Sequence, residues 1–218
     1  LLSKTVAFAL SYDAGLVAPH VLLPLAERLH YAVNHAAERM LGGNWQHLQH
    51  ELLSIAPEFG GFGIRHLAEG VYGEAAFWAT WLPRVARAPM TAKAAGRPIL
   101  QVSGSAIAEL VRARLASKGL HCDLSGTIRF SDASLAEYAE SPWAADVSAV
   151  ELCKGPPLSE ACLTLSANTP AAPPPKARIA GRLWRCLDAL RSTRLLRTLP
   201  ERMKEAILSG GGKLGGCL

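Results

Sequence analysis

His47 and His50, with His30 and His35 a short way upstream, come nearest in this sequence to a metal-ligand spacing. On a helix, residues three apart share a face, so His47 and His50 would present two imidazoles together. Zinc needs further ligands at compatible spacing, and the H-E-x-x-H signature is absent. The four histidines therefore read as surface or interhelical residues. Nucleophilic chemistry has no better support. Ser103-Gly104-Ser105 is not a G-x-S-x-G elbow. Cys122, Cys153, Cys162, Cys186 and Cys217 are odd in number and widely spaced, which fits neither a disulfide framework nor a C-x-x-C site. They read as reduced thiols of an intracellular protein. No Asp-Asp or Asp-x-Asp occurs, so paired aspartates for two-metal catalysis are missing. The expectation is a chain without catalytic residues, metal, cofactor or small-molecule substrate.

A glycine box, Pro57-Glu58-Phe59-Gly60-Gly61-Phe62-Gly63-Ile64-Arg65-His66-Leu67, raises a different possibility. Backbone N–H groups in glycine-rich loops cradle phosphates, but a dinucleotide fingerprint needs G-x-G-x-x-G and a P-loop needs G-x-x-x-x-G-K-[ST]. Here His66 stands where a third glycine would fall, and no Gly-Lys-Ser/Thr follows. The box therefore predicts a tight turn leading into a helix.

The elements that must position these residues are mostly helical. Val21, Leu22, Leu25, Leu29, Val33, Ala36 and Met40 recur at helical steps over residues 20–41, and Gly42-Gly43 ends the run. A short helix over 44–53 follows, with Asn44 as its cap, and after the box another over 65–82 carries Leu67, Val71, Phe77, Trp78 and Trp81. Ile107, Leu110, Val111 and Leu115 predict a helix over 104–118 that stops at Gly119. His121 to Phe130 reads as a short hairpin or a loop, and Ser131-Asp132 caps a helix to about Glu140.

Composition then shifts. Ala167 to Pro175 includes Pro170, Pro173, Pro174 and Pro175 and reads as a semi-rigid linker. Beyond it, a helix over 176–198 carries Ile179, Leu183, Leu187, Leu190 and Leu195 on one side and Arg178, Arg182, Arg185, Arg191, Arg194 and Arg197 on the other. Pro200 opens a last helix through Leu208.

Half of the 218 residues are apolar and 19% are charged, which excludes a disordered chain. No apolar run is long enough to span a bilayer. The start at Leu1 and the end at Cys217-Leu218 read as cuts in a longer polypeptide. The net charge of +5 is unevenly spread: residues 176–218 hold ten Lys/Arg and three Asp/Glu, a surplus of +7. Such clustering commonly answers phosphate backbones, so weak, salt-sensitive nucleic-acid binding is expected of this tail.

The order of blocks resembles the region after the polymerase palm in reverse transcriptases of non-LTR (LINE-like) retrotransposons. Ser3-Lys4-Thr5-Val6-Ala7-Phe8-Ala9-Leu10 stands where a thumb-opening Ser-Lys segment lies in that family, and Met40-Leu41-Gly42 matches a helix ending in Met/Leu-Leu-Gly. Ala56-Pro57-Glu58-Phe59-Gly60-Gly61-Phe62-Gly63-Ile64-Arg65 is similar to its Leu-Pro-x-x-x-Gly-Gly-Leu-Gly-Leu-Arg box, with Ala56 and Phe62 as departures. Ala75-Ala76-Phe77-Trp78-Ala79-Thr80 completes the block. The family's Tyr/Phe-x-Asp-Asp motif has no match, so polymerase activity does not carry over to this chain.

The resemblance implies a non-catalytic thumb and downstream region. It would help hold RNA/DNA template-primer beside an upstream palm, in a nuclear or cytoplasmic setting and without a membrane. The expected fold is mainly α: a thumb-like region with the glycine box (1–90), a helical or mixed region (91–166), a Pro-rich linker (167–176) and a basic helical tail (177–218). Nucleic-acid contacts would come from Lys4, Arg28, Arg39 and Arg65 in the thumb-like region. In the tail they would come from Arg178, Arg182, Arg185, Arg191, Arg194 and Arg197. Such residues contact phosphates and sugars and set position without reading sequence. A stand-alone interaction module with a groove beside Trp78 and Trp81 is the alternative. A small-molecule enzyme built on the histidines ranks last.

Overall fold

The computed structural model describes residues 10–42, 47–64, 71–94, 106–155 and 175–210, and it is mainly helical. After a short helix α1 (Ser11–Ala14), helix α2 runs from Pro19 to Leu41. Pro19 suits the first turn, where its missing N–H removes no helical bond, and Gly42 closes the helix at φ 75° by donating its N–H to the Glu38 carbonyl. The buried face of α2 differs from the one its leucines suggest. Ala26, Val33 and Ala37 point inward, whereas Val21, Leu25 and Met40 are 60%, 50% and 65% exposed. The apolar positions span too wide an arc to meet one neighbour. The small residues face inward, where Val33 and Ala37 pack on Leu53, with Leu29 and Ile64 alongside.

Helix α3 (His47–Ser54) leads to a single 3-10 turn, Pro57–Phe59, and the glycine box. Gly60 takes the left-handed conformation at φ 82°, which ends the turn. A side chain on Gly61 would collide with the Ile55 backbone carbonyl, because the two strands of the turn lie against each other there. The path is pinned by N–H donation from Phe62 to Leu52, from Gly63 to Ile55 and from Ile64 to Leu53, at 2.8–2.9 Å. The glycines thus build a turn, as the sequence predicts.

Helix α4 (Tyr72–Ala94) runs beyond the end expected for the helix over 65–82. Residues 65–70 lie outside the described part. Its first turns, through Thr80, are buried on every side, which a helix achieves only at the centre of a fold. It continues through Pro83 even though a proline cannot donate to the carbonyl four residues back.

Helix α5 (Ala106–Ser117) ends at Gly119, at φ 95°, where the sequence places its stop. The ambiguous stretch that follows is a hairpin: β1 (Leu120–Cys122) pairs antiparallel with β2 (Ile128–Phe130), Leu120 opposite Phe130. Leu120, Cys122, Ile128 and Phe130 face the core, while His121 and Arg129 face out, the period-two pattern of a strand covered on one side. The Asp123 Oδ1 accepts from the backbone N–H groups of Ser125 and Thr127, both at 2.9 Å, and shapes the turn. Partial burial works against ionising that carboxyl, but the bonds from Ser125 and Thr127 outweigh it and hold it below the usual range.

Helix α6 (Asp132–Ala139) is capped by Ser131, whose Oγ accepts from the Ser134 N–H at 3.2 Å. A Ser131→Ala variant should lose about 1 kcal/mol, read as a lower urea midpoint at constant slope. A 3-10 turn at Pro142–Ala145 and a short helix α7 (Ala149–Cys153) complete this region.

The largest departure from the sequence reading concerns helix α8 (Pro175–Thr198), which helix α9 (Glu201–Gly210) follows. It is not a solvated tail set apart from the body. Ile179, Leu183, Cys186, Leu187, Leu190 and Leu196 belong to the same buried cluster as Tyr72 and Trp78 of α4, Leu115 of α5 and Phe130 of β2. Cys186 to Leu190 are buried without a break, so α8 is enclosed on all sides along that stretch. It packs along α4 and against α6, α7 and the Pro57–Phe59 turn. The Pro-rich stretch expected over 167–176 lies outside the described residues as far as 174, and the helix that begins at Pro175 joins the core.

Candidate nucleic-acid interface

The predicted cations fall into three groups. Lys4 and Arg65 lie outside the described residues, and the Arg178 side chain is likewise not described. Arg28 and Arg39 are exposed on α2. The remaining five, all on α8, each bond to a partner within the fold, although Arg185, Arg194 and Arg197 stay 39%, 40% and 47% exposed.

Their arrangement explains why. A helix turns about 100° per residue, so Arg182 and Arg191, nine residues apart, point in opposite directions. Arginines at 182, 185, 191, 194 and 197 wind around α8 and form no single basic face. Each meets a partner on whichever element lies there. The Arg185 Nε donates to Glu58 Oε1 of the 3-10 turn at 2.8 Å, and that bond holds its guanidinium above the ordinary range. The Arg194 Nε donates to Glu137 Oε2 on α6 at 3.0 Å, and Arg197 reaches Glu140 Oε2 at 2.6 Å. The Arg182 Nη1 donates to the Cys153 carbonyl at 3.4 Å, and burial lowers its pKa.

Arg191 is the most deeply engaged. Its Nη2 donates to Glu51 Oε2 at 2.5 Å, and its Nη1 to Ser54 Oγ at 2.8 Å and to the Tyr72 hydroxyl at 3.1 Å. The Tyr72 hydroxyl donates in turn to Asp188 Oδ1, and Asp188 is fully buried. Burial, reinforced by the Asp188 carboxylate, pushes the Tyr72 hydroxyl far above its ordinary range, so it stays protonated and remains a donor. This cluster ties α3, α4 and α8 together, and the sequence reading missed it. One signal was available: Asp188 is the only acidic residue between Pro175 and Thr198. It lies between Leu187 and Ala189 on an otherwise apolar stretch, and an aspartate that is buried there needs a specific partner.

The exposed face of α2 is chemically different. Pro24, Arg28, Tyr31, Ala32, His35 and Arg39 are all exposed and recur at three- and four-residue steps. Tyr31 is 75% exposed and stacks on His35, with ring centroids 6.4 Å apart. Arg28 and Arg39 are eleven residues apart, about 16 Å along the axis, and Tyr31 and His35 lie between them. Such a row can bridge successive phosphates and lay an aromatic face against a sugar or base.

His35 and His50 both approach Glu38, at 3.9 Å and 3.3 Å, His30 is paired with Asn34 at 2.8 Å, and the His47 side chain is not described. Among the described residues no group of three or more His, Cys, Asp or Glu is placed to hold a metal ion. Of the two tryptophans expected to line a groove, Trp78 is not open to a partner, whereas Trp81 is half-buried. Trp78 is 1% exposed and stacks on Trp81 at 5.2 Å. No helix among the described residues is long and apolar enough to cross a membrane. In comparisons with known proteins, no family model, curated protein or solved structure matches the chain.

Proposed function

We propose that this chain is a non-catalytic helical segment of a retroelement reverse transcriptase, from its thumb and the region beyond, and that it steadies template-primer nucleic acid through the outer face of α2. One observation carries the reading: Arg28, Tyr31, His35 and Arg39 form an exposed row, while the α8 arginines with described side chains are bonded within the fold. The ordered blocks support the family assignment. Met40-Leu41-Gly42 ends α2, and the glycine box follows as a turn that requires glycine. The contacts would be to phosphate and sugar, since arginines on an outer helix face can hold a duplex without reading bases.

An Arg28→Ala/Arg39→Ala variant should bind an RNA–DNA hybrid about tenfold or more weakly at low salt, with the slope of log K against log salt reduced by about two. Fluorescence anisotropy over a salt series measures both. An Arg185→Ala/Arg197→Ala variant should bind within about twofold of the parent, because those side chains face carboxylates. Undiminished binding by the α2 variant would refute the proposal.

A protein partner is the second reading, supported by the exposed Val21 and Leu25 beside the same row. It predicts that Val21→Ser/Leu25→Ser, rather than loss of the two arginines, removes binding of an upstream polymerase palm.

A further inference from the structure

Three of the five cysteines gather where β1, α7 and α8 meet, and their surroundings differ sharply. Cys122 and Cys186 are buried, whereas Cys153 is half-exposed at the C-terminal end of α7. The Cys153 and Cys186 sulfurs are 3.9 Å apart, and the Cys186 thiol also lies 3.6 Å from the Leu152 carbonyl. Cys153 opens onto a cleft of about 430 Å³, whose apolar walls include Ile128, Phe130 and Leu135 and which Arg182 flanks. Gly155 lets Arg182 take this position: a side chain there would occupy the space of the guanidinium. One thiol is thus reachable from solvent beside a cation, and a second stands sealed behind it.

We propose that Cys153 and Cys186 form an oxidant-responsive thiol pair, in which Cys153 reacts with hydrogen peroxide in the cleft and Cys186 resolves the product to a disulfide joining α7 to α8. The Cys153 thiolate attacks one peroxide oxygen and the O–O bond breaks. The hydroxide released takes up a proton and leaves as water, and Cys153 becomes a sulfenic acid. Cys186 then gives up its proton and attacks the Cys153 sulfur. The S–S bond forms, the S–O bond breaks, and the oxygen leaves as a second water. Two thiols are oxidised to one disulfide while one peroxide is reduced to two waters, so no further reactant is needed.

The division of roles follows from the local chemistry. A hydrogen bond from Cys186, backed by the Phe130 N–H and the positive charge of Arg182, holds the Cys153 thiol below its ordinary range. Burial, followed by the charges of Asp123 and Cys153, pushes Cys122 up to about 12, so it stays a thiol. The Cys186 thiol is raised by its hydrogen bond to Cys153 and by burial. The thiolate is the nucleophile, so attack begins at Cys153 and not at either neighbour. Closing the bond to about 2.05 Å needs side-chain rotation and a small shift of the five-residue α7.

The test uses the whole chain with Cys162→Ser and Cys217→Ser, which removes the two cysteines outside the described residues. After treatment with equimolar hydrogen peroxide, remaining thiols are alkylated and the peptides are mapped by mass spectrometry. The expected main product is a Cys153–Cys186 cross-link, absent in Cys153→Ser. In Cys186→Ala, Cys153 should be trapped as a sulfenic acid by dimedone, at least about tenfold faster than Cys122. A main product joining Cys122 to either partner, or equal labelling of Cys153 and Cys122, would overturn the proposal. So would oxidation of Cys153 in the parent without a cross-link. Should Cys186→Ala fail to fold, the parent cross-link and its loss in Cys153→Ser decide the question alone.

Discussion

An Arg191→Met variant should lose about 3 to 5 kcal/mol of stability, enough to leave a marginal domain partly unfolded at 25 °C. Methionine keeps much of the side-chain volume, so the loss isolates the charge and its hydrogen bonds. Without the guanidinium, Glu51 loses its 2.5 Å partner, and the Tyr72 hydroxyl and Ser54 lose theirs. Asp188 stays fully buried beside Tyr72 while the cluster loses the guanidinium charge. Stranding a buried charge costs far more than a surface pair contributes, because water cannot reach it to compensate. The comparison is Arg197→Met, where the pair is largely solvent-exposed and the expected change is below about 1 kcal/mol. Urea unfolding of both variants, followed by far-ultraviolet circular dichroism, gives the two numbers. Equal effects at the two arginines would mean that the cluster does not hold α3, α4 and α8 together.

The second large effect lies in the glycine box. A Gly61→Ala variant should lose roughly 3 kcal/mol, because its methyl group would meet the Ile55 carbonyl and one strand of the turn must move. Backbone cannot yield as a side-chain tip can, and four hydrogen bonds from Gly61, Phe62, Gly63 and Ile64 hold these strands in register. Gly60→Ala should cost less, about 1 to 2 kcal/mol, from the left-handed conformation at φ 82° together with the Ile207 methyl, a side-chain contact on helix α9 rather than backbone of the same turn. The order of the two variants is the informative result. If Gly60→Ala were the more damaging, conformational freedom rather than close approach would be the reason for the box.

Local signals were legible in the sequence where they depend on neighbouring residues alone. Gly42 and Gly119 stop helices where they should, Ser131 caps α6, and the spacing of apolar residues marks α2, α5 and α8. The inward faces of α5 and α8 largely follow their apolar spacing, but the inward face of α2 could not be read. Val21, Leu25 and Met40 on one side and Ala26, Val33 and Ala37 on another both recur at helical spacing, and only tertiary contact decides between them. The arginines of α8 misled for a related reason. Their number suggested a phosphate-binding tail, but their winding distribution and the lone Asp188 fit a central helix whose cations meet carboxylates from other elements. Those partners, Glu51, Glu58, Glu137 and Glu140, lie 57 to 140 residues away in the chain. No local reading could have paired them. The Cys153–Cys186 approach is hidden for the same reason, since the two are separated by 33 residues.

Amide hydrogen exchange along α8 tests most directly whether this helix is the structural centre of the fold. Leu183 to Leu190 should be among the slowest amides in the chain, exchanging together with the buried turns of α4 and only on global unfolding, with an opening free energy equal to that measured by urea. Exchange of α8 well ahead of α4, at a small fraction of the global free energy, would contradict a central α8 and return its arginines to the role of a detachable basic tail.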